Sequence, residues 1–235
     1  MRRINPIFLI LLALAFFGFI QSPLFAVTEV EVRGASTLKA GEVLEASGLA
    51  LPANFFSVNT SGILKALERV PRIEKASVQR FPPNHVIITV KERVPVGAIP
   101  QGKEFLTFDS FGIIVALEDG LQRARVPIVT GVALNNARPG ESLDHPGAEL
   151  ARRVLLATDN STRSNLSEIH VGDSGEIRVY TREGIMVFLG DGSDLAKKMS
   201  RFEGVLRDMR KKGWHPEIID LRTPDTPVVK LRGRS

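Results

Sequence analysis

Residues 81–96 read FPPNHVIITVKERVPV, and the alternation inside this stretch decides the architecture around it. From His85 to Lys91 the side chains alternate across a strand, with Val86, Ile88 and Val90 on one face and Ile87, Thr89 and Lys91 on the other. Pro82 and Pro83 fix φ, and Asn84 tolerates tight-turn geometry, so a turn precedes the strand. The run then stops in a charged Lys-Glu-Arg followed by Val and Pro95. None of these residues is a reactive set. The reason for so polar an ending has to come from the flanking chain.

Working back from it, Glu74 to Arg80 is the antiparallel mate across the Pro-Pro-Asn turn. Before that, NFFSVNTSGILKALERVP (54–71) carries a helix from Thr60 to Val70. Ile63, Leu64, Leu67 and Val70 form its apolar stripe, and Pro71 bars continuation. The spacing predicts Leu64 and Leu67 as the residues that meet the Val86, Ile88 and Val90 face. Earlier still, VTEVEVRGASTLKAGEVLEASGL (27–49) begins with an alternating strand from Val27 to Arg33, broken by Gly34. Ser36 or Thr37 is placed to cap a short helix through Ala46, and Gly48 to stop it. The order is β-α-α-β-β, with helices on one face of a three-stranded sheet.

The amino terminus reads MRRINPIFLILLALAFFGFIQSPLFAVTEVEV (1–32). No residue from Ile4 to Thr28 is charged, and about 20 apolar residues suffice to cross a bilayer. Arg2 and Arg3 precede the window and Glu29 and Glu31 follow it, which orients a span with its short tail in the cytoplasm. A cleaved signal peptide is the competing reading. Its site would fall near Ala26, but Leu24 stands where a small residue is wanted, and the apolar run is long for such a signal. The reading is an uncleaved anchor over 4–26 behind a tail of 1–3, with everything from Glu29 outside the cytoplasm.

Beyond Pro95 short strands dominate. EFLTFDSFGIIVAL (104–117) reads as a hairpin turning at Asp109 to Gly112, and the turn-rich 123–147 as irregular. A helix from about Ala148 to Ala157 precedes three strands, LSEIHVG, GEIRVYT and GIMVFLG. A second helix covers 193–213, with Leu195, Met199, Phe202, Leu206 and Met209 as a buried stripe, Ser193 as N-cap and Gly213 past its end. PEIIDLR and PVVKLRG close the chain as strands. The fold class is α+β: one amino-terminal transmembrane helix, a β-α-α-β-β domain at 27–94, and a β-rich domain with two helices at 95–235.

Composition excludes several functions. The chain has no cysteine, which removes disulfides, thiolate metal sites and cysteine nucleophiles. Its 31 basic against 26 acidic residues would suit nucleic acid, but not outside the cytoplasm, where the excess serves protein or envelope surfaces. The four histidines, 85, 145, 170 and 215, hold no metal-ligand spacing. Ser142, Asp144 and His145 are loop neighbours and not a triad, and LGDGSD (189–194) lacks the lysine of a phosphate loop. Lys197, Lys198, Arg201, Arg207, Arg210, Lys211 and Lys212 lie off the apolar stripe and read as a solvated helix face, with a surface for an acidic partner as the alternative. No catalytic, cofactor-binding or metal-binding residue is assigned, and the chain reads as a non-enzyme.

The order of parts resembles the bacterial cell-division family FtsQ (DivIB). VTEVEVRGASTL and the run from NFFSV to VPVGAI (54–99) are similar to its POTRA domain. FLTFDSFGIIV, LAKKMSRFEGVL and IIDLR are similar to its β domain. The resemblance implies a divisome scaffold at the septum. It implies FtsB/FtsL-like coiled-coil proteins binding through the carboxyl-terminal strand, and other divisome proteins through the POTRA domain and the inner-membrane span. No cofactor, nucleic acid or small-molecule substrate is implied. The partner-binding residues it points to are Arg222, Thr223, Val228, Val229, Lys230 and Leu231. The family carries an aromatic residue after Asp-Leu-Arg where this chain has Thr223, and its cytoplasmic tail is longer. Two alternatives are a POTRA-containing envelope assembly or transport factor and a membrane-anchored envelope hydrolase. The first needs a barrel for which too few strands remain; the second needs a convergent acid–base or nucleophile site.

Overall fold

A computed structural model describes residues 6–120, 126–134 and 136–233, and the chain divides into two units after Arg93. The first unit begins with α1 (Pro6–Ile20), an apolar helix with no buried residue. Its 15 residues span about 22 Å at about 1.5 Å each, against a hydrocarbon layer of about 30 Å. Among the described residues no helix is long and apolar enough to cross a membrane. The helix expected over 4–26 stops early because Pro23 opens a 3-10 turn (Pro23–Phe25), and its ring cannot continue an α-helix.

There follow β1 (Ala26–Val27), β2 (Val30–Arg33), α2 (Ala40–Ser47), β3 (Ala53–Asn54), a 3-10 turn (Phe55–Ser57), α3 (Thr60–Leu67), β4 (Ile73–Phe81) and β5 (His85–Glu92). The main sheet has the order β2-β5-β4, β5 lying parallel to β2 and antiparallel to β4. A separate two-stranded sheet pairs β1 with β3, so the strand read as running continuously from Val27 is broken at Thr28 and Glu29. Val86, Ile88 and Val90 are buried together with Ile63, Leu67, Val43 and Phe55. Leu64 is only half-buried: in so short a helix the inward pair is Ile63 and Leu67, four apart, and Leu64 lies beside it.

The caps differ from expectation too. Lys39 occupies the N-cap of α2, while the amides of Ser36, Thr37 and Leu38 all donate to the carboxylate of Glu92. The Thr37 hydroxyl donates to the same carboxylate. This explains the polar end of β5. Lys91 pairs with Glu74 at 2.7 Å, Glu92 gathers the loop after β2, and the Arg93 amide donates to Arg72 O at 2.8 Å. Each residue of Lys-Glu-Arg closes one side of the sheet's end.

Partial burial pushes the Glu92 carboxyl up, but the Thr37 hydroxyl and the three amides outweigh it and bring it down to about 2 from an ordinary 4.5. A carboxyl depressed in the folded state stabilises above its unfolded pKa, and the contribution is lost as pH falls from about 4.5 toward about 2. Glu92→Gln is expected to cost about 1–2 kcal/mol at pH 7 and to lose less on acidification than the unsubstituted chain. Melting curves between pH 6 and pH 2 check this; parallel acid profiles for the two proteins refute it.

In the second unit β6 (Pro95–Gln101), β7 (Glu104–Asp109), β8 (Ile114–Glu118) and β9 (Ile128–Thr130) precede α4 (Pro146–Ala157) and α5 (Asn160–Asn165). Then come β10 (Leu166–Val171), β11 (Ile177–Thr181), β12 (Met186–Gly190), α6 (Leu195–Lys212), β13 (Pro216–Asp220) and β14 (Val228–Leu231). All nine strands form one sheet of order β14-β13-β12-β11-β10-β9-β6-β7-β8. Pro95 opens β6 at once, the first position of a strand being one where a missing donor is tolerated. The hairpin turn stands where expected: Asp109 Oδ1 accepts from the amides of Phe111 and Ile113, both at 2.9 Å.

Two features depart from the expected pair of helices and irregular middle. α5, an all-polar turn and a half capped by Asp159, is a third helix among the described residues. β9 lies within the stretch expected to be irregular, yet it is a central strand between β6 and β10. Gly131 makes that possible. Its φ is 76°, and a Cβ there would stand 1.9 Å from Val171 O. α4 and α6 pack on each other over one face of the sheet, burying Val154, Leu155, Met199 and Phe202 with Ile169, Val179, Val187 and Ile219.

Candidate partner-binding edge

The last strand is made by PEIIDLRTPDTPVVKLR (216–232) folding back on itself across Thr223 to Pro227. A nine-stranded open sheet has two edges, and they are treated differently. At the start of β8 the chain returns alongside: Ile114 N donates to Glu141 O at 2.9 Å, Gly140 N to Ile114 O at 2.7 Å, and Ile113 bridges Ser142. At β14, among the described residues, no strand pairs with the outer side.

The orientation of the β14 donors follows from its neighbours. Leu221 N donates to Phe188 O on β12 at 2.9 Å, so the Asp220 amide points toward β14. Asp220 is opposite Val228 and Ile218 opposite Lys230, and Arg232 N donates to His215 O at 2.8 Å. Donors alternate sides along a strand. Val228, Lys230 and Arg232 therefore direct their amides at β13, and Val229 and Leu231 direct theirs to the free edge. The side chains alternate as well: Val229 packs on the core, Val228 is 66% exposed, and Lys230 pairs with Glu217 at 3.3 Å.

Arg222 and Thr223 stand at the corner where β13 ends. Arg222 donates through Nε to both Asp220 oxygens (3.1 and 3.0 Å) and through Nη2 to Oδ2 at 2.6 Å, and its guanidinium lies 5.9 Å from the Phe188 ring centroid. That bond holds the Asp220 carboxyl below its ordinary value, and it raises Arg222 further above the physiological range. A charged, pre-oriented guanidinium at a strand end suits a partner carboxylate. Thr223 is exposed, and with Asp220, Arg222, Thr226 and Val228 it lines an open cavity of about 390 Å³. Five of the six expected residues thus meet at one exposed corner and edge, with Val229 contributing its backbone.

Part of this geometry has no signature in the local sequence. Lys197 pairs with Asp225 at 2.8 Å, and Arg201 Nε donates to Pro224 O at 3.2 Å, so α6 holds the loop that presents β14. The helix face read as solvated is partly an internal clamp. Lys198 departs further, being 1% exposed, with Nζ donating to Leu189 O at 2.6 Å and to Ser193 Oγ at 3.4 Å. Spacing carried that signal: Lys198 follows Leu195 by three and precedes Phe202 by four, which puts it on the buried stripe. Asp194, at φ 50°, takes the N-cap expected of Ser193.

Elsewhere the polar groups serve structure. His145 caps α4 by accepting from Gly147 N at 3.1 Å, and His170 Nδ1 lies 2.9 Å from the Thr130 hydroxyl. Among the described residues no group of His, Asp and Glu could hold a metal ion.

Two family profiles cover the chain: the FtsQ-type POTRA domain matches residues 25–93, and the carboxyl-terminal region of cell division protein FtsQ/DivIB matches 98–222. Cell division protein DivIB of Clostridium tetani is 24% identical over 217 residues, covering 90% of this chain and 82% of that one. Cell division protein FtsQ of Anaeromyxobacter sp. (strain K) is 28% identical over 222 residues, covering 91% and 74%. The solved extracytoplasmic domain of DivIB from Geobacillus stearothermophilus aligns with 52% of this chain and 97% of that one. At 15% identity and a TM-score of 0.38, that likeness is too weak to argue from.

Proposed function

We propose that this chain, which belongs to the FtsQ/DivIB family of cell-division proteins, gathers its partner by strand addition at the free edge of β14. As a member of that family it is a divisome scaffold, working at the septum among other division proteins. The partner class is an FtsB/FtsL-like coiled-coil protein that contributes an extended segment carrying an acidic residue for Arg222. The observation that carries this reading is the free edge itself: among the described residues no strand pairs with the outer side of β14, which presents the amides of Val229 and Leu231 beside a charged corner, whereas at the other edge its own chain meets the start of β8. Thr223 replaces the aromatic residue expected there, so main-chain bonds carry more of the contact. The scaffold performs no chemistry.

The same reading places the chain in the inner membrane, with α1 as the body of a single uncleaved span and everything from Glu29 onward in the periplasm. What supports it is the helix's unbroken exposed apolar surface and the flanking charges, Arg2 and Arg3 against Glu29 and Glu31. The POTRA unit and the span are then free for further division proteins.

Amide hydrogen exchange on the full chain in detergent, with and without the purified partner, tests the edge. The amides of Val229 and Leu231 should be protected on binding. Those of Val228 and Lys230, already bonded to β13, should change little. Protection elsewhere with none at Val229 and Leu231 would show that the partner docks by another surface.

A further inference from the structure

Between the end of α1 and the folded unit the chain has no slack. α1 ends at Ile20 and β1 begins at Ala26, already paired with β3. The Asn54 side chain donates through Nδ2 to Ile20 O at 2.7 Å, satisfying a helix-terminal carbonyl. Its Oδ1 accepts from Phe56 N at 2.9 Å. One residue of the POTRA unit thus holds both the helix end and the next turn.

A chain of rings runs over the same junction. Phe19 meets Phe25 edge-on at 5.3 Å, Phe25 lies 5.0 Å from Phe56, and Phe56 meets Phe55 at 5.4 Å. The guanidinium of Arg80 lies 5.6 Å from the Phe55 ring centroid and donates to Val58 O at 3.2 Å. The core of the unit therefore continues through Phe25 into the helix. Phe25 is buried, but Phe19, Leu24 and Phe56 remain more than half exposed, Leu24 at 54% and Phe56 at 52%. They extend the apolar surface of α1 past its last turn.

We propose that the POTRA unit is seated on the outer surface of the bilayer through Leu24 and Phe56 instead of swinging on a tether. The inference rests on the reading of α1 as the anchor. The occupant is lipid because the patch is continuous with a helix that is apolar on every side. The described part of the helix, 15 residues, covers about 22 Å of a hydrocarbon layer of about 30 Å. A ring cluster at its end carries apolar surface into the interfacial zone, where aromatic and leucine side chains are at home.

The chain's single tryptophan, Trp214, makes this measurable once it is replaced. In a Trp214→Phe background of the full chain, Phe56→Trp reports the seat and Phe16→Trp, in α1, reports the anchor. Both are reconstituted into phosphatidylethanolamine–phosphatidylglycerol vesicles, with and without brominated acyl chains. Phe56→Trp should emit blue-shifted from a solvated tryptophan, be quenched by the brominated lipid, and be shielded from iodide. Quenching at position 16 without any at position 56 would overturn the seat and leave the anchor standing. No quenching at either position would overturn the anchor reading, and the seat with it. Circular dichroism confirms that each variant is folded.

Discussion

Ile88→Asn is expected to lower the melting temperature of the POTRA unit by about 10 °C or more. Ile88 has no exposed surface; it lies in register between Val32 on β2 and Val78 on β4, over Ile63 and Leu67 of α3. Asparagine there removes apolar contact and buries an amide with no partner on that face, which together cost about 2–5 kcal/mol. A domain of this size is held by about 5–15 kcal/mol in all. Thr89→Asn, at an exposed position on the other side of the same strand, should stay within about 0.5 kcal/mol. Calorimetry of the two variants decides it, and an unchanged transition for Ile88→Asn would show the faces reversed.

That prediction was legible in the sequence because a strand's faces follow from a period of two, and nothing distant can alter it. The two-helix order, the Asp109 turn and the stripe of α6 were legible for the same local reason. What stayed hidden depended on residues far along the chain. Ser36 and Thr37 have the chemistry of an N-cap, but Glu92, 56 and 55 positions on, takes their amides. β9 has three residues in a turn-rich stretch, and it is a strand only because β6 and β10 flank it. α5 is NSTRSN, with no apolar stripe to find.

The edge divides in the same way. That the last strand could lie outermost was visible from its position in the chain. Which of its amides face outward was not, because that depends on β13 pairing in parallel with β12. The loop clamp of Lys197 on Asp225 and Arg201 on Pro224 was likewise invisible, since α6 and the β13–β14 loop meet only in three dimensions. Sequence alone shows the charge on α6 as a surface property. Its use is to hold the presenting loop against the helix.

The largest effect on function is expected from Val229→Pro. Its amide points to the free edge, so proline removes a donor that β13 does not use, at a sheet edge where proline is tolerated. The fold should survive. For an added strand the change removes one main-chain bond and puts a ring in the partner's path, together about 3 kcal/mol or more, a loss of roughly a hundredfold in affinity. Val228→Pro and Lys230→Pro delete amides bonded to β13, so they should weaken β14 itself and lower stability along with binding. Arg222→Glu should cost less, because Arg222 already shares its charge with Asp220 and lies 62% exposed. Its effect should shrink as salt rises, whereas that of Val229→Pro should not. Binding of each variant to a purified FtsB/FtsL-like coiled-coil protein, the proposed partner, with circular dichroism for the fold, gives the answer. A folded Val229→Pro chain that binds as tightly as the unsubstituted one would rule out strand addition at this edge. Loss of binding with an intact fold would leave the backbone of β14 as the recognised surface.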